Sequence, residues 1–448
     1  MYILSIDFGT SSVKIAVLNE KLDTVQKTKK EYYYTVIDND QVEIDPEMVF
    51  QAAVAGVREL SREYLEQIDI IAFDVFSPSL VALDEGGKPV YPCILHLDRR
   101  SRAQSQGIIT RFGKKEFMGI TGVLPFAGGV SITSLLWLKE NCPAIYWQTY
   151  KFGHFNTFIF KKLTGNWGID SVNASMTGLY ETTTWGSWSK EICAAVGIPT
   201  SKLPEIYETG TMVARLKGKV AKELGLKAGI PVLLGSNDAA TGIFGAGIAE
   251  NGDILNIAGS NEILTILTDK PVINEGYYLR NSLFPGKWQI FSINIGGFAL
   301  EWFRQLAYSE MDRGYFYETL LSEIIDGESS EGFARPTAKF KPFLAGDRHS
   351  LEVKRGAFTD LTLSTKRDEM LKAILFGINE HITNNIEIAG QFLTLNKKII
   401  ITGGLAETPY LKMKTKIMPG FTFEFKRRCT TIGNGKLALI ALNSMTGN

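Results

Sequence analysis

Apolar and polar residues alternate in the first third of the chain in a way that predicts layered strands and helices. An apolar, β-prone run from Tyr2 is followed by a small polar turn and a second apolar run that ends at Leu18. This pattern predicts a strand, a tight turn and a return strand. Helical spacing predicts a helix over Pro46 to Tyr64. Other expected elements are strands at Ile68–Phe73, Leu80–Asp84 and Pro231–Leu234, and helices at Ser131–Asn141 and Phe155–Leu163. The alternation favours an α/β fold with a mostly central sheet.

The strand–turn–strand pattern occurs again near the middle of the chain. An apolar run from Ile254 leads through Gly259 and Ser260 into a second apolar run that ends at Leu267. The repetition favours two structurally related halves, with one turn from each half facing a shared cleft. The alternative, that two common hairpins are unrelated, stays open. The boundary is expected in the glycine-rich stretch 242–252, which gives domains of 1–245 and 246–448.

Composition and charge narrow the class of protein. The 448 residues, 45% hydrophobic and 21% charged, suffice for two ordinary globular domains. Lys+Arg and Asp+Glu are both 48, so no net charge favours nucleic acid or an anionic membrane surface. No apolar run approaches the ~20 residues of a membrane-spanning helix, and the N-terminal residues do not resemble a signal peptide. The scattered cysteines and histidines argue against a disulfide framework or a zinc site. A cytoplasmic protein is therefore expected.

Candidate chemistry begins at the end of the first predicted strand. Asp7 precedes a turn that holds Gly9, three hydroxyl residues and Lys14. Backbone N–H groups clustered in such a turn can bind an anion, and glycine lets a ligand approach the backbone closely. A carboxylate beside an anion site requires a cation between them. The turn therefore predicts a phosphate and Mg²⁺ site, with an ordinary hairpin turn as the alternative.

A second carboxylate, Asp238, also follows a predicted strand. Phosphoryl transfer needs a cation and N–H donors on the phosphates, and a carboxylate that takes the proton of the attacking hydroxyl. Asp7 and Asp238 together meet this need, although Asp238 also fits a helix N-cap. The chain has no Gly-x-x-x-x-Gly-Lys-Ser/Thr loop, which excludes a P-loop enzyme, and the first strand–turn lacks the glycine spacing of a dinucleotide fold.

Two glycine pairs follow apolar runs in the last third of the chain, Gly296–Gly297 and Gly403–Gly404. Glycine after a strand lets a flat group, such as a nucleotide base, lie against the backbone. Close helix–strand packing is the alternative, and the pattern alone favours it.

Taken in order, these motifs resemble the FGGY family of carbohydrate kinases, within the actin-like ATPase superfamily. The resembling segments are 7–14 (first phosphate loop), 94–100 (the sugar-side Trp-x-Asp-x-Arg segment, with His96 where tryptophan is common), 235–240 (catalytic aspartate), 256–260 (second phosphate loop), the two glycine pairs, and 343–348 (the Tyr/Phe-Leu-x-Gly-Glu-Arg stretch). The matches follow the family's order and span almost the whole chain.

The resemblance implies two ribonuclease H-like domains flanking a central cleft, with ATP and Mg²⁺ as cofactors and a small sugar as the acceptor. It implies that Asp238 is the general base and that Asp7 holds Mg²⁺. Residues expected to bind the nucleotide or its phosphates are Thr10, Ser11, Ser12, Lys14, Gly259, Ser260, Gly296, Gly403, Gly404 and Thr408. Residues expected to bind the sugar, besides Asp238, are Asp74, Ser77, Pro78, Asp98 and Arg100. For Asp98 and Arg100 a surface ion pair is the alternative, and for Asp74 a buried strand-end cap.

The sugar-side segment departs from the pattern of named relatives. This chain has Ser77-Pro78 at a position where xylulokinases carry Met-His and glycerol kinases carry Arg-Glu. The resemblance therefore does not assign D-xylulose or glycerol as the substrate of this chain. The expected acceptor is a ketose, a polyol or an aldonate. A non-catalytic actin-like ATP-binding sensor or assembly protein is the alternative function. The sequence leaves a homodimer open.

Overall fold

The chain divides into two units, each built from more than one chain segment. In this computed structural model the described residues are 1–38, 40–327, 333–344, 346–347, 349–407 and 409–446. The first unit comprises Met1–Gly247, Leu279–Trp288 and Cys429–Asn448, and the second comprises Ile248–Tyr278 and Gln289–Arg428. The functional division predicted at 245/246 stays a prediction.

The first fourteen strands of the chain lie in the described part of the first unit, and most of them are short. These are β1 Tyr2–Phe8, β2 Ser12–Asn19, β3 Thr24–Glu31, β4 Thr35–Val36, β5 Val42–Ile44, β6 Ile68–Val75, β7 Ser79–Leu83, β8 Cys93–Leu95, β9 Lys151–Gly153, β10 Ile169–Asp170, β11 Ile206–Tyr207, β12 Val213–Arg215, β13 Pro231–Leu233 and β14 Ser236–Asn237. Its helices are α1 Pro46–Arg58, α2 Arg62–Leu65, α3 Arg102–Phe112, α4 Lys114–Thr121, α5 Ser131–Asn141, α6 Pro143–Gln148, α7 Phe155–Thr164, α8 Ser171–Ser175, α9 Lys190–Val196, α10 Gly218–Leu224, α11 Asp238–Ala246 and, near the chain end, α16 Cys429–Thr446.

β1 lies in the interior of the main sheet of this unit, whose order is β12–β13–β6–β1–β2–β3, with β14 also paired to β6. β1 runs antiparallel to β2 and parallel to β6. Its side chains alternate between two cores, as the period of a strand requires. Leu4 and Ile6 pack with residues of α1, α7 and α10, whereas Ile3 packs with residues of α11 and α16. Asp7 has the same parity as Ile3 and so lies on the α11 and α16 face.

The helix predicted over Pro46 to Tyr64 is shorter than the sequence suggested. It starts as expected, because Asp45 accepts a hydrogen bond from the Glu47 N–H at 2.9 Å and Pro46 takes the first helical position. It ends at Arg58, where the Leu60 N–H bonds to the Val57 carbonyl and tightens the last turn. Ser61 is then extended, and a separate short helix, α2, follows. Leu60 still reaches the core, which explains the helical spacing that the sequence showed.

The second unit repeats the arrangement of the first. Its described strands are β15 Ile254–Ala258, β16 Asn261–Thr268, β18 Trp288–Ile295, β19 Lys339–Lys341, β20 Ala357–Thr359, β21 Lys398–Thr402 and β22 Thr422–Phe425, while β17 Tyr278–Asn281 spans the point where the chain returns to the first unit. Its helices are α12 Gly297–Ala307, α13 Leu321–Asp326, α14 Arg367–Gly390 and α15 Tyr410–Ile417. The order β22–β21–β15–β16–β18 matches β13–β6–β1–β2–β3, with β15 antiparallel to β16 and parallel to β21. The predicted repeat is confirmed.

The helices of the structure bear on the expectation that the chain has no membrane-spanning helix. Across the part of the chain that is described, none of them combines the length and the apolar character needed to cross a bilayer. The predicted cytoplasmic location stays a prediction.

A second sheet of the first unit, in the order β4–β5–β8–β7–β9, buries an ionic network. Arg100 Nη1 lies 2.6 Å from Glu43 Oε1, and Arg100 Nη2 lies 2.7 Å from Asp98 Oδ2. The three side chains are at most 9% exposed, and the Val42 N–H also donates to Asp98 Oδ2 at 2.7 Å. The alternative of a surface ion pair for Asp98 and Arg100 is therefore wrong, because the pair is buried.

We expect the Arg100→Ala substitution to destabilise the first unit strongly. It would leave the Glu43 and Asp98 carboxylates buried without their cation, which typically costs about 3 to 5 kcal/mol. The control is Arg102→Ala, because Arg102 forms an ion pair with Asp40 at 2.6 Å while both side chains are about 40% exposed. Such an exposed pair contributes about 1 kcal/mol or less. Urea unfolding of both variants measures the difference, and equal losses would contradict the structural role of the network.

Candidate active site

Carboxylates collect at the carboxyl ends of neighbouring parallel strands in the first unit. Asp7 of β1 lies opposite Asp74 of β6, and Asp74 lies opposite Ser236 of β14. Asp238 follows two residues later as the first residue of α11. The parallel register therefore brings Asp7 and Asp74 together, with Asp238 at the next strand end, although they are far apart in sequence.

The turn after β1 presents Asp7 and Lys14 together. The two residues are cross-strand neighbours in the β1–β2 hairpin, and Lys14 Nζ lies 3.0 Å from Asp7 Oδ2. The Asp7 carboxylate raises the pKa of Lys14. The Gly9 N–H donates to the Ser12 carbonyl at 3.0 Å, which closes the turn. Thr10 is half-buried and Ser11 is exposed, whereas Ser12 is buried. The predicted phosphate contacts of these residues stay predictions.

Asp238 is held at the start of α11 by a cap that the sequence did not identify. The N-cap residue is Asn237, whose side chain accepts a hydrogen bond from the Ala240 N–H at 3.3 Å. The alternative that Asp238 is the cap is therefore wrong. Asp238 Oδ1 instead accepts from the Ala239 N–H at 2.7 Å and from Asn237 Nδ2 at 2.9 Å.

The surroundings of Asp238 set its proton affinity. Burial and the negative charge of Asp7 raise its pKa to about 6, against the opposing effects of the Ala239 N–H, Lys14 and Arg280. A carboxyl group with a pKa near neutral can accept a proton at physiological pH and release it afterwards. Its half-buried position at a strand end suits a proton acceptor that must meet a substrate.

Asp74 is fully buried on the same face of the sheet. Its Oδ2 accepts a hydrogen bond from Asn434 of α16, and Asn434 Nδ2 also lies 3.2 Å from Ser5 Oγ. Asp74 Oδ1 is buried without a hydrogen-bond partner among the described residues. Burial, then the charges of Asp7 and Asp238, raise the pKa of Asp74 well above its usual value. Its predicted contact with the sugar stays a prediction, and the buried strand-end alternative fits its position.

The other residues expected on the sugar side fall into two groups. Ser77 is half-buried and its Oγ lies 2.5 Å from Asn173 Oδ1, while Pro78 beside it is buried. Asp98 and Arg100 belong to the buried network in the second sheet, where their charged atoms already have protein partners. The network gives both side chains a structural role, and their binding of the sugar stays a prediction.

The predicted phosphate turn of the second unit is built from backbone contacts. Ser260 is exposed at the tip between β15 and β16, and the Gly259 N–H donates to the Asn261 carbonyl at 3.0 Å. The Gly297 N–H donates to the Gly259 carbonyl at 2.8 Å, and the Gly296 N–H donates to the Ser260 carbonyl at 3.1 Å. A Cβ on Gly296 or Gly297 would lie 2.9 Å from backbone atoms of this turn. This glycine pair therefore serves close packing against the turn.

The second glycine pair combines packing with open space. Gly403 has φ +105°, and a Cβ there would lie 2.3 Å from the Ala258 carbonyl oxygen. Gly404 is exposed, and a Cβ there would meet nothing within 4 Å. Packing thus explains Gly403, whereas Gly404 leaves room beside the strand end for a bound group. Thr408, Ala345 and Arg348 lie outside the described residues.

The first-unit carboxylates fit a magnesium ion better than a metal that needs a protein cage. Among the described residues, no group of three or more His, Cys, Asp or Glu side chains is arranged to hold a metal ion. Mg²⁺ usually takes only one or two carboxylates and completes its shell with water and substrate phosphates. Asp7 offers carboxylate oxygens at the strand end, and Asp74 Oδ1 is buried nearby without a hydrogen-bond partner among the described residues.

Several residues of this region carried no signal in the sequence. Asn434 lies 360 positions after Asp74, and Asp170, Asn173 and His154 form a buried polar group behind Ser77. These polar residues are fully buried although they lie far from some of their partners in the sequence, and they become recognisable only when the fold places them together.

Known proteins match this chain in sequence over most of its length. Residues 2–245 match the N-terminal domain model of the FGGY family of carbohydrate kinases. The xylulose kinase of Staphylococcus xylosus is 27% identical over 424 residues, which cover 93% of this chain and 86% of that protein. The gluconokinase of Bacillus subtilis is 28% identical over 390 residues, which cover 84% of this chain and 74% of that protein.

Solved structures resemble the fold over the whole chain. The xylulose kinase of Lactobacillus acidophilus has a TM-score of 0.87 at 20% identity, covering 100% of this chain and 90% of that one. The two-domain actin-like ATPase fold is thereby shown, as expected from the sequence. Because the family match spans more than half of the residues, the chain belongs to the FGGY family of carbohydrate kinases, phosphotransferases with an alcohol group as acceptor.

Proposed function

We propose that this kinase transfers the γ-phosphate of ATP to a hydroxyl group of a small sugar, with Asp238 as the general base. The acceptor is a ketose such as a pentulose, a polyol or an aldonate. The observation that carries the proposal is the half-buried Asp238 carboxylate, whose pKa is raised to about 6 by burial and by Asp7. A base with a pKa close to the working pH is well matched to proton transfer.

The residues around Asp238 supply the remaining requirements of phosphoryl transfer. Lys14 and the N–H groups of the turn after β1 bring positive charge and donors next to Asp7. Asp7 would hold Mg²⁺, which when bound neutralises the negative charge of the phosphates. The hydrogen bonds from Asn237 and Ala239 both go to Asp238 Oδ1, which fixes the carboxylate and directs Oδ2 elsewhere.

The second unit would bind the nucleotide. Ser260 is exposed beside the Gly259 N–H and carbonyl contacts, and Gly404 offers open space at the end of β21. β15 and β21 are adjacent and parallel, with Ile257 opposite Thr402, so the two loops share one edge of the sheet. Ligands in α/β folds commonly bind at the carboxyl ends of parallel strands.

A direct assay with a panel of sugars can identify the acceptor. Named relatives include xylulose kinases and gluconokinases, and Ser77-Pro78 differs from the xylulokinase pattern. A coupled assay of ADP release with pentuloses, hexuloses, pentitols and aldonates tests the proposal. Release that depends on one acceptor class supports it, whereas ATP binding without acceptor-dependent release would favour a non-catalytic sensor.

We expect Asp238→Asn to abolish phosphorylation while ATP still binds. Loss of a general base typically lowers the rate about 10²- to 10⁴-fold, because the attacking hydroxyl keeps its proton. Asparagine preserves the size of the side chain and can still accept the Ala239 N–H. Turnover is measured by the coupled assay and ATP binding by calorimetry. Turnover at the wild-type rate would show that Asp238 is not the base.

The activity should depend on pH through Asp238. The raised pKa means that the carboxylate is ionised, and active as a base, only above about 6. Below that value kcat/KM for the acceptor should fall by about tenfold per pH unit. Lys14 lowers the pKa of Asp238, so Lys14→Met should move this limb to higher pH as well as reduce the rate. An acidic limb that Lys14→Met leaves at the same pH would contradict its assignment to Asp238.

Adjacent glycines of the second unit should separate packing from nucleotide binding. Gly403→Ala forces a Cβ against the Ala258 carbonyl at a positive φ, so we expect a loss of stability of about 1 to 3 kcal/mol or more. Gly404→Ala places its methyl group in open space and should leave stability within about 0.5 kcal/mol. The same methyl should raise the KM for ATP severalfold. An unchanged KM would show that ATP does not approach Gly404.

A further inference from the structure

A continuous chain of buried hydrogen bonds connects Ser77 to Asp170 inside the first unit. Asp170, Asn173 and His154 are each 0% exposed. Asp170 Oδ1 accepts from Asn173 Nδ2 at 2.7 Å and from the Asn173 backbone N–H at 3.2 Å. Asn173 Oδ1 lies 2.5 Å from Ser77 Oγ and 3.2 Å from His154 Nδ1, and His154 Nε2 lies 3.0 Å from Ser131 Oγ.

The chemistry of Asp170 fixes the orientation of the Asn173 amide. Asp170 Oδ1 receives two donors of fixed identity. One is the Asn173 backbone N–H, and the other is the Asn156 NH₂ group, which must donate because its second contact is the Gly235 carbonyl. An oxygen that accepts two hydrogen bonds is the unprotonated oxygen of the carboxyl group, so Oδ1 acts as an acceptor. The group of Asn173 that faces this oxygen must therefore be the NH₂ group. Its carbonyl oxygen, Oδ1, consequently points to Ser77 and His154.

The direction of the remaining hydrogen bonds follows from this orientation. An amide oxygen cannot donate, so both neighbours of Asn173 Oδ1 must supply protons. Ser77 donates its one hydroxyl proton, and neutral His154 carries its proton on Nδ1. His154 Nε2 then accepts from the Ser131 hydroxyl. Burial lowers the pKa of His154 to about 4, which keeps the imidazole neutral at physiological pH.

The same carboxyl group anchors the segment that leads to Asp238. Asp170 Oδ2 accepts from Ser236 Oγ at 2.6 Å, and Asn156 Nδ2 bridges Asp170 Oδ1 and the Gly235 carbonyl at 3.0 and 2.9 Å. Asp170 thus contacts Ser236, two residues before the proposed base, and is connected through Asn173 to Ser77, two residues after the end of β6.

We propose that Asp170 and Asn173 are positioning residues that leave the Ser77 hydroxyl only its lone pairs, so that Ser77 accepts a hydrogen bond from a hydroxyl group of the acceptor sugar. Ser77 is half-buried, so one side of its oxygen stays accessible. A keto or carboxylate oxygen cannot donate to Ser77, which implies that the substrate places an alcohol carbon at this position. This inference rests on the proposed function and specifies one contact of the same site.

The direction of the hydrogen bonds can be tested without any substrate. In ¹⁵N-histidine-labelled protein, long-range ¹H–¹⁵N spectra distinguish the two neutral tautomers, and His154→Gln assigns the His154 signals among the four histidines of the chain. We expect a neutral Nδ1–H tautomer for His154 at pH 7, lost or altered in Asn173→Ala. An Nε2–H tautomer or an imidazolium would overturn the proposed direction.

The contact with the acceptor is tested by kinetics on the best acceptor of the coupled-assay panel. Ser77→Ala should raise the acceptor KM about three- to tenfold, the effect of one neutral hydrogen bond, with little change in kcat. Asn173→Ala should raise it similarly, and the double variant should be no worse than about the larger single effect, because both remove one unit. Ser77→Thr, which keeps the hydroxyl, should retain most of the affinity.

The control is Ser101→Ala. Ser101 is 0% exposed, whereas Ser77 is half-buried, and Ser101 Oγ donates to Thr133 Oγ1 at 3.0 Å. Its loss therefore reports the general effect of removing a buried serine hydrogen bond. It should leave the acceptor KM unchanged. An active enzyme in which Ser77→Ala leaves KM unchanged, or in which the two single effects simply add, overturns the inference and leaves the proposed function standing. Absence of turnover with every acceptor overturns the proposed function itself, and the tautomer result then still decides the direction of the hydrogen bonds.

Discussion

The first unit depends on holding like charges together at the ends of parallel strands. Strand pairing sets Asp7 beside Asp74, with Asp238 at the next strand end. Two carboxylates about 5 Å apart repel each other by about 3 kcal/mol at the effective dielectric constant typical of protein sites. The protein relieves this repulsion in two ways. Lys14 pairs with Asp7, and the pKa of Asp74 and that of Asp238 rise, so that part of the negative charge is carried as bound protons.

The last helix of the chain makes this arrangement possible. Asn434 of α16 donates to Asp74, and α16 packs on α11, the helix that begins with Asp238. A Cβ on Gly245 of α11 would lie 1.7 Å from the Cys429 carbonyl, and one on Gly433 would lie 2.0 Å from the Thr241 carbonyl. The two backbones therefore touch through glycine, which fixes the position of α11. The position of Asp238 thus depends on residues of α16, which lies far from Asp238 in the sequence.

Local chemistry explains which features the sequence could predict. Each of the two hairpins, with its glycine turn, is encoded by a short stretch of sequence, and the similarity of the two stretches predicts the repeat. The structure confirms the hairpins and the repeat. The end of α1 at Arg58 was missed because Leu60 keeps the helical spacing after the helix has ended. The Asn434–Asp74 contact joins residues 360 positions apart, and a single sequence contains no pattern for such a pair. The sequence favours sugar binding for Asp98 and Arg100, with a surface ion pair as the alternative, and the burial of their ion pair depends on a sheet that the sequence did not predict.

The surroundings of Ser77 show why a sequence motif alone does not identify the substrate of a relative. A serine hydroxyl can donate or accept, so the residue type at position 77 is compatible with either an alcohol or a carbonyl group of the sugar. The choice is made by Asn173, which occupies the proton of Ser77, and by Asp170, which orients Asn173. These partners lie about a hundred residues away from Ser77, and one of them also holds Ser236 near the base. In the proposed contact, specificity at position 77 depends on the direction of the buried hydrogen bonds, so a relative would share it only if it also had the residues that set this direction.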